Sequence, residues 1–118
     1  MISGNTGTEL DGLKKQRSRY AKHLLLREIG PDRQRTLREK RVALIGCGGL
    51  GCTTADQLVR AGVGRLLIVD GDVVEAENIQ RQILFDEEDA AAGRPKATAA
   101  ARKLKKINMI WWSSAPTR

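Results

Sequence analysis

Aromatic residues are scarce in this chain, at 3% of 118 residues, so its 41% of hydrophobic residues are almost all aliphatic. Proteins that hold single strands of nucleic acid stack bases on aromatic side chains, which this chain lacks. It also lacks an apolar run of about eighteen residues, as a membrane-spanning helix needs. Its first fifteen residues contain no apolar core of a secretory signal. Base stacking, membrane insertion and export are therefore not expected.

Cysteine is equally rare, with two residues, Cys47 and Cys52, on either side of a glycine-rich stretch. Two such residues do not form the framework of a disulfide-rich secreted domain, and the chain is expected to be cytoplasmic and reduced. We interpret both cysteines as small packed residues. The single His23 has no acidic or thiol neighbour in sequence and is not expected to be catalytic or a ligand.

Charge is unevenly distributed along the chain, whose formal net charge is +7. Residues 1–41 hold eleven Lys or Arg against five Asp or Glu, and residues 94–118 hold seven against none. Between these ends, residues 42–93 hold three against nine. The basic residues recur at helical spacing, which is typical of solvated helix faces. Nucleic acid is therefore not an expected partner.

Periodicity predicts an alternation of helices and strands. Short apolar runs at 41–46 (RVALIG) and 64–70 (GRLLIVD) predict buried parallel strands. Helical spacing of apolar residues between and around them predicts helices at 19–30, 31–40, 49–62 and 94–108. The stretch from 71 to 93 is predicted to be a loop with at most a short helix at 79–84. Its acidic run FDEEDA (85–90) is interpreted as solvated, with no metal site.

These elements predict an α/β fold, a Rossmann-like parallel sheet with flanking helices. Residues 1–16 are expected to be a flexible N-terminal segment and residues 17–108 the N-terminal part of a nucleotide-binding domain. The tail 109–118 (MIWWSSAPTR), with two adjacent tryptophans, neither alternates nor stays apolar. We expect the sheet to stop before a third strand, through truncation or a frameshift.

The stretch GCGGLG (46–51) matches the phosphate-binding pattern G-x-G-x-x-G, with Gly49 as an extra glycine. Gly46 would allow the tight turn off the strand, Gly48 the close approach of a ligand, and Gly51 close packing of the helix on the strand. The helix that follows offers unpaired N–H groups to a phosphate. Because Asp70 ends the next strand, the pattern predicts a nucleotide site.

The residues after Asp70 favour a triphosphate over a dinucleotide. Asn78 and Arg81 stand three positions apart, and Lys96 follows at the start of the next predicted helix. When an α-phosphorus is attacked, negative charge builds on the leaving oxygens. Positively charged side chains near the phosphates would stabilise this charge. A dinucleotide held through Asp70 remains the alternative at this point.

Four stretches, RYAKHLLLREIG, RVALIGCGGLGC, AGVGRLLIVDGDVVEAENIQRQ and GRPKA, occur in an order and spacing that resembles the HesA/MoeB/ThiF adenylyltransferases. These are the bacterial relatives of ubiquitin-activating enzymes. The resemblance covers about residues 17–108. It implies a Rossmann-like fold that binds ATP with Mg²⁺ and a homodimeric full-length protein. It also implies adenylation of the C-terminal glycine of a ubiquitin-like sulfur-carrier protein, with release of pyrophosphate.

The resemblance also implies roles for single residues. Asp70 would bind the ribose, Arg81 and Lys96 would be the catalytic cations at the phosphates, and Gln82 would support them. Lys22 stands where the family usually has an arginine that reaches the partner subunit's site. The full set implied to contact the nucleotide is Gly46, Gly48, Gly49, Gly51, Asp70, Asp72, Asn78, Arg81, Gln82, Lys96 and Lys22.

The family is longer than this chain, and its later magnesium-binding aspartate, zinc-binding CxxC pairs and carrier-docking strands have no counterpart here. We therefore expect an inactive fragment of such an enzyme. Two alternatives remain open, a non-catalytic module for nucleotide binding and dimerisation, and a fragment of an NAD-dependent oxidoreductase.

Overall fold

The computed structural model describes residues 18–108 and 111–115. The chain divides into two compact units, Met1–Thr36 and Leu37–Arg118. The first unit contains helix α1 (Ala21–Leu25) and most of helix α2 (Gly30–Glu39). In it the ring of Tyr20 stacks on His23, whose Nδ1 lies 3.0 Å from Oε1 of Gln34. The histidine is thus engaged in local packing.

The helix predicted over 19–30 is shorter than expected. Leu26 takes an extended conformation (ψ 129°), which ends α1 at Leu25 although the apolar run continues. Gly30, predicted as the end of that helix, is instead the first residue of α2 and has a φ of +61°. Pro31 then stands in the first turn of α2, as the sequence predicts.

The second unit is built on a parallel sheet of strands β1 (Arg41–Ile45), β2 (Arg65–Val69) and β3 (Trp111–Ala115), in the order β1-β2-β3. Both predicted strands form and pair in parallel, with Arg41 opposite Arg65 and Ile45 opposite Val69. The prediction that both are buried is wrong for β1, which has no buried residue and leaves Ile45 72% exposed. The expectation that the sheet stops before a third strand is wrong. Backbone pairing with β2 does not require alternating side chains, so the tail joins the sheet despite its composition.

Two long helices cover one face of this sheet. Helix α3 (Gly49–Ala61) connects β1 to β2 and contacts β1, while helix α5 (Lys96–Ile107) contacts β2, β3 and α3. The core between helices and sheet is aliphatic, with Val59, Leu66, Ile68 and Leu104 among its fully buried side chains. This arrangement is the predicted α/β fold, and it places the start of α3 at the carboxyl end of β1.

The segment from 71 to 93 has more structure than the sequence predicted. A 3₁₀ turn spans Ala76–Asn78, and a helix, α4, spans Glu87–Ala92, whereas no helix forms at 79–84. Two reciprocal hydrogen bonds cap α4: the Asp86 carboxylate accepts from the Asp89 N–H at 2.9 Å, and Asp89 accepts from the Asp86 N–H at 3.1 Å. The acidic run is therefore only partly solvated, because Asp89 is buried and pairs with Arg94 at 2.7 Å.

Loss of the α4 cap gives a pH-dependent prediction. The backbone N–H of Asp89 is the main cause that lowers the pKa of Asp86 below its usual 3.8. A lowered pKa contributes stability above the unfolded value, and this contribution is lost as pH falls. Asp86→Ala should therefore destabilise the chain to urea at pH 7, with a difference from wild type that shrinks below about pH 3.8.

Glu87→Ala is the matched control, because Glu87 is exposed in the first turn of α4 and is not its cap. We expect a smaller loss at pH 7 than for Asp86→Ala. A deficit in Asp86→Ala that stays constant with pH would contradict a role for the carboxylate charge.

Candidate functional site

The glycine turn joins β1 to α3. Gly46 has a φ of +93° and donates its N–H to the Val69 carbonyl at 2.8 Å, which fixes the turn at the end of β1. A Cβ on Gly51 would lie 2.2 Å from the Gly46 carbonyl oxygen, so the start of α3 packs directly against the turn. These are the close approaches for which the sequence pattern predicts glycine at both positions.

The turn presents the N-terminus of α3 at the carboxyl edge of the sheet. Gly48 is the N-cap, with no side chain to accept a hydrogen bond, and no acidic residue lies in the first turn. The first N–H groups of a helix have no partner within it and carry positive dipole density. The start of α3 is therefore suited to an anionic group.

Asp70 ties the end of β2 to this turn. Its Oδ2 accepts the Cys47 N–H at 2.7 Å, and its Oδ1 accepts the Asp72 N–H at 2.7 Å. The sequence predicts Asp70 as the ribose contact, and this stays a prediction. In the structure the carboxylate holds the backbone of the glycine turn. Each oxygen keeps a further lone pair for a ligand hydroxyl.

Arg81 and Gln82 lie against the glycines of α3. A Cβ on Gly49 would meet Cγ of Arg81 at 3.8 Å, and one on Gly48 would meet Nε2 of Gln82 at 3.9 Å. Arg81 is exposed and donates from Nη1 to the Glu77 carbonyl at 3.2 Å. The stem of Arg81 therefore lies against the first turn of α3, while its guanidinium bonds the Glu77 carbonyl and stays exposed.

The Gln82 amide is buried beside Gly48, with the residue 3% exposed. Its Oε1 has no hydrogen-bond partner among the residues that the structure describes. A buried acceptor without a partner is costly, so this oxygen would gain from a hydrogen-bond donor such as water.

Asn78, predicted at the phosphates, has a structural function here. Its Oδ1 accepts the Glu75 N–H at 2.9 Å, and its carbonyl accepts the Gln82 N–H at 2.9 Å. The first of these bonds belongs to a capping box around the 3₁₀ turn, and the second joins that turn to Gln82. Asn78 thereby fixes the backbone that carries Arg81 and Gln82, and its contact with a nucleotide stays a prediction.

Lys96 reaches the site through a short backbone pairing. Val73 pairs with Pro95, and the Lys96 N–H donates to the Asp72 carbonyl at 2.9 Å. The Lys96 side chain is 9% exposed, and its Nζ lies 4.0 Å from Oδ2 of Asp72. Since Asp72 in turn bonds Asp70, this pairing connects the buried ammonium to the glycine turn.

Most of the predicted set is thus brought together at one edge of the second unit. Lys22 is exposed on α1 in the other unit, and its role stays a prediction. Within residues 18–108 and 111–115, no three His, Cys, Asp or Glu side chains are grouped as a metal site, and no helix is long and apolar enough to cross a membrane.

The sequence analysis missed the residues that position this site. Arg94 binds Asp89 and accepts the Val74 N–H at its carbonyl (2.8 Å), which places Lys96 beside Asp72. The sequence does contain a signal for helix α4, which leads into Arg94: the Asp86-x-x-Asp89 spacing of a capping box, followed by Gly93 at the end of the helix.

Residues 20–111 match the model of the ThiF family. The sulfur carrier protein ThiS adenylyltransferase of Bacillus subtilis is 49% identical over 90 residues, which are 76% of this chain and 27% of that protein. The adenylyltransferase and sulfurtransferase MOCS3 of Mus musculus is 50% identical over 76% of this chain and 19% of its own length. The chain therefore spans about a fifth to a quarter of these relatives.

Solved protein structures also share the fold of this chain. Escherichia coli MccB with ATP is 34% identical at a TM-score of 0.69, over 72% of this chain and 25% of MccB. E. coli tRNA N6-threonylcarbamoyladenosine dehydratase, TcdA, with ATP is 26% identical at a TM-score of 0.76, over 84% of this chain and 40% of TcdA. Together with the glycine turn and the cations beside it, these matches show that the chain belongs to the ThiF family.

Proposed function

We propose that this chain supplies the ATP-binding half of a site that adenylates the C-terminal glycine of a ubiquitin-like sulfur-carrier protein. The observation that carries the proposal is the position of Arg81, whose stem crosses Gly49 at the start of α3. The relatives named for adenylation of sulfur carriers, and the neighbours solved with ATP, support the same nucleotide.

The chemistry needs positive charge at the phosphates. A terminal carboxylate oxygen forms a bond to the α-phosphorus, the bond from that phosphorus to the bridging oxygen breaks, and pyrophosphate leaves. Charge that builds on the leaving oxygens would be stabilised by Arg81, Lys96 and the N–H groups of α3. The predicted contribution of this chain is to bind the nucleotide and to hold those charges in place.

The ribose would be held by Asp70, which lies between the glycine turn and Asp72. An acidic side chain that binds the ribose would by itself fit NAD equally well. The exposed Arg81 beside the glycine turn favours ATP, because a triphosphate carries more charge at that position than a dinucleotide does.

We propose a cytoplasmic homodimer, with Lys22 acting at the partner's phosphates and Mg²⁺ accompanying the triphosphate. The described residues offer Asp72 as an exposed carboxylate near the site, but no group of three metal-binding side chains. They do not by themselves fit a complete Mg²⁺ site, and no step is assigned to the metal.

A chimera tests the proposed activity. The matching 90-residue segment of the B. subtilis ThiS adenylyltransferase is replaced by that of this chain, and carrier-dependent exchange of labelled pyrophosphate into ATP is measured. We expect exchange in the chimera and a loss of at least about a hundredfold on Lys96→Ala, because charge stabilisation of this kind contributes several kcal/mol. A folded chimera that binds the carrier without exchange would contradict the proposal.

Asp70→Ala should weaken ATP, ADP and AMP alike. The ribose is common to the three ligands, so each should lose about 1.5–3 kcal/mol of binding free energy, as a hydrogen bond to a charged group contributes. Isothermal titration with each nucleotide measures the losses. Asp70→Asn, which keeps one accepting oxygen for the glycine turn, controls for misplacement of the turn. A loss confined to ATP would place Asp70 at the phosphates.

A further inference from the structure

Two thiols lie in contact beneath the glycine turn. Cys47, within the turn, and Cys52, in the first turns of α3, are both fully buried, and their sulfurs are 3.7 Å apart. The Cys52 thiol also points at the Cys47 carbonyl, with a sulfur–oxygen distance of 3.6 Å. Neither cysteine is in a disulfide. The proposed nucleotide chemistry uses neither thiol.

The two thiols differ in their environment. The hydrogen bond between them is the main cause that raises the pKa of Cys47 and lowers that of Cys52. Burial opposes the lowering at Cys52, whereas a hydrogen bond from the Leu84 backbone and the Lys96 ammonium support it. Cys52 is therefore the more acidic thiol of the pair.

We propose that Cys47 and Cys52 are an oxidisable dithiol that closes into a disulfide and thereby lowers the affinity of the glycine turn for nucleotide. The sulfur–sulfur contact of 3.7 Å and the location of one cysteine within the turn carry this inference. Its second half rests on the proposed nucleotide site. The oxidant is a hydroperoxide, the smallest of which is hydrogen peroxide.

The reaction balances within the pair. Cys52 gives up its proton and its sulfur attacks a peroxide oxygen. The O–O bond breaks, and the leaving hydroxide takes up that proton and departs as water, so that Cys52 becomes a sulfenic acid. The Cys47 sulfur gives up its proton and attacks the Cys52 sulfur, the S–O bond breaks, and a second water leaves. Two thiols lose two electrons and two protons, and one peroxide becomes two waters.

Closure must move the backbone of the turn. A disulfide needs sulfurs about 2.05 Å apart in a defined geometry, so the 3.7 Å contact has to shorten. Cys47 donates its N–H to Asp70, and Gly51 packs on Gly46 with no room for a Cβ. These two contacts hold the backbone of the turn in place, so Cys47 cannot move without breaking or shifting them. A change that draws Cys47 towards α3 therefore alters the N–H groups offered to phosphate.

Nucleotide binding and oxidation of the two thiols should therefore oppose each other. Because both thiols are fully buried, peroxide reaches them only when the turn opens. A nucleotide seated on the closed turn would slow this opening. By thermodynamic reciprocity, a disulfide that weakens nucleotide binding is itself disfavoured by bound nucleotide.

The experiment treats the native chain with hydrogen peroxide and reads two quantities. Intact mass and alkylation after unfolding report an intramolecular disulfide, and isothermal titration reports ATP affinity in the reduced, oxidised and re-reduced chain. We expect loss of two hydrogens in mass, ATP affinity weaker by about tenfold, recovery with a dithiol reductant, and slower closure under saturating ATP.

Neither Cys52→Ser nor Cys47→Ser can form the disulfide. Peroxide should leave the ATP affinity of Cys52→Ser at its reduced value, because that variant lacks the sulfur that attacks peroxide. Cys52→Ala replaces either variant that fails to fold. Two free thiols after treatment of wild type, or a disulfide without change in ATP affinity, would overturn the inference. If the reduced chain does not bind ATP, the proposed nucleotide site fails, and the mass alone then decides whether the disulfide forms.

Discussion

Replacing Gly51 with alanine is expected to lower the free energy of unfolding by at least about 3 kcal/mol, at the upper end for overpacking. The added Cβ would lie 2.2 Å from the Gly46 carbonyl oxygen and 3.0 Å from its carbon. Both atoms are backbone and cannot rotate away as a side chain would. Either α3 shifts off the turn or the turn opens, and each disturbs the nucleotide site. Urea unfolding followed by circular dichroism measures the effect.

Gly49→Ala is the matched control two residues earlier in α3. A Cβ at that position would meet the flexible Arg81 side chain at 3.8 Å, which is an ordinary contact. Alanine also has a higher helix propensity than glycine, so this variant should unfold at the same urea concentration as wild type or higher. Equal stability of Gly51→Ala and Gly49→Ala would show that Gly51 is not needed for packing.

Replacing Arg81 with alanine is expected to weaken ATP far more than AMP. The stem of Arg81 lies against Gly49 at the start of α3 and the residue is exposed, so in the proposed site the lost contact would be with the outer phosphates. A charge-assisted contact of this kind contributes about 1.5–3 kcal/mol, which corresponds to more than tenfold in the dissociation constant. Titration of both nucleotides into each variant gives the ratio.

Arg60→Ala controls for the loss of one positive charge. Arg60 lies near the other end of α3, where it pairs with Asp56 at 2.9 Å, and its removal should leave both affinities unchanged. Equal weakening of ATP and AMP by Arg81→Ala would instead indicate that Arg81 maintains the segment from Glu77 rather than binding phosphate.

The sequence predicted the central part of the fold because its signals there are local. Val42, Leu44, Leu66 and Ile68 belong to short apolar runs that end at glycine or aspartate, and parallel strands buried by helices have this pattern. The glycine turn was equally readable, since the φ of Gly46 and the packing of Gly51 exclude other residues. Periodicity likewise gave α3 and α5 to within two residues at each end.

The parts that were not predicted depend on contacts between distant segments. Strand β3 forms through its backbone pairing with β2. The sequence of the tail does not predict this strand, because its residues neither alternate nor stay apolar. Helix α4 is a short helix held by side-chain caps, whereas a run of carboxylates suggested only solvation. Asp70 is shared between Cys47 and Asp72, 23 and two positions away, so its structural role emerges only after folding.

Competitive titration of this chain with ATP and NAD⁺ tests most directly whether the glycine turn and its cations form a triphosphate site. ATP should bind, with a dissociation constant more than tenfold higher in Arg81→Ala. NAD⁺ should bind at least about tenfold more weakly than ATP, because it offers less charge to Arg81 and Lys96. NAD⁺ affinity equal to or greater than that for ATP, in a folded chain, would contradict the account.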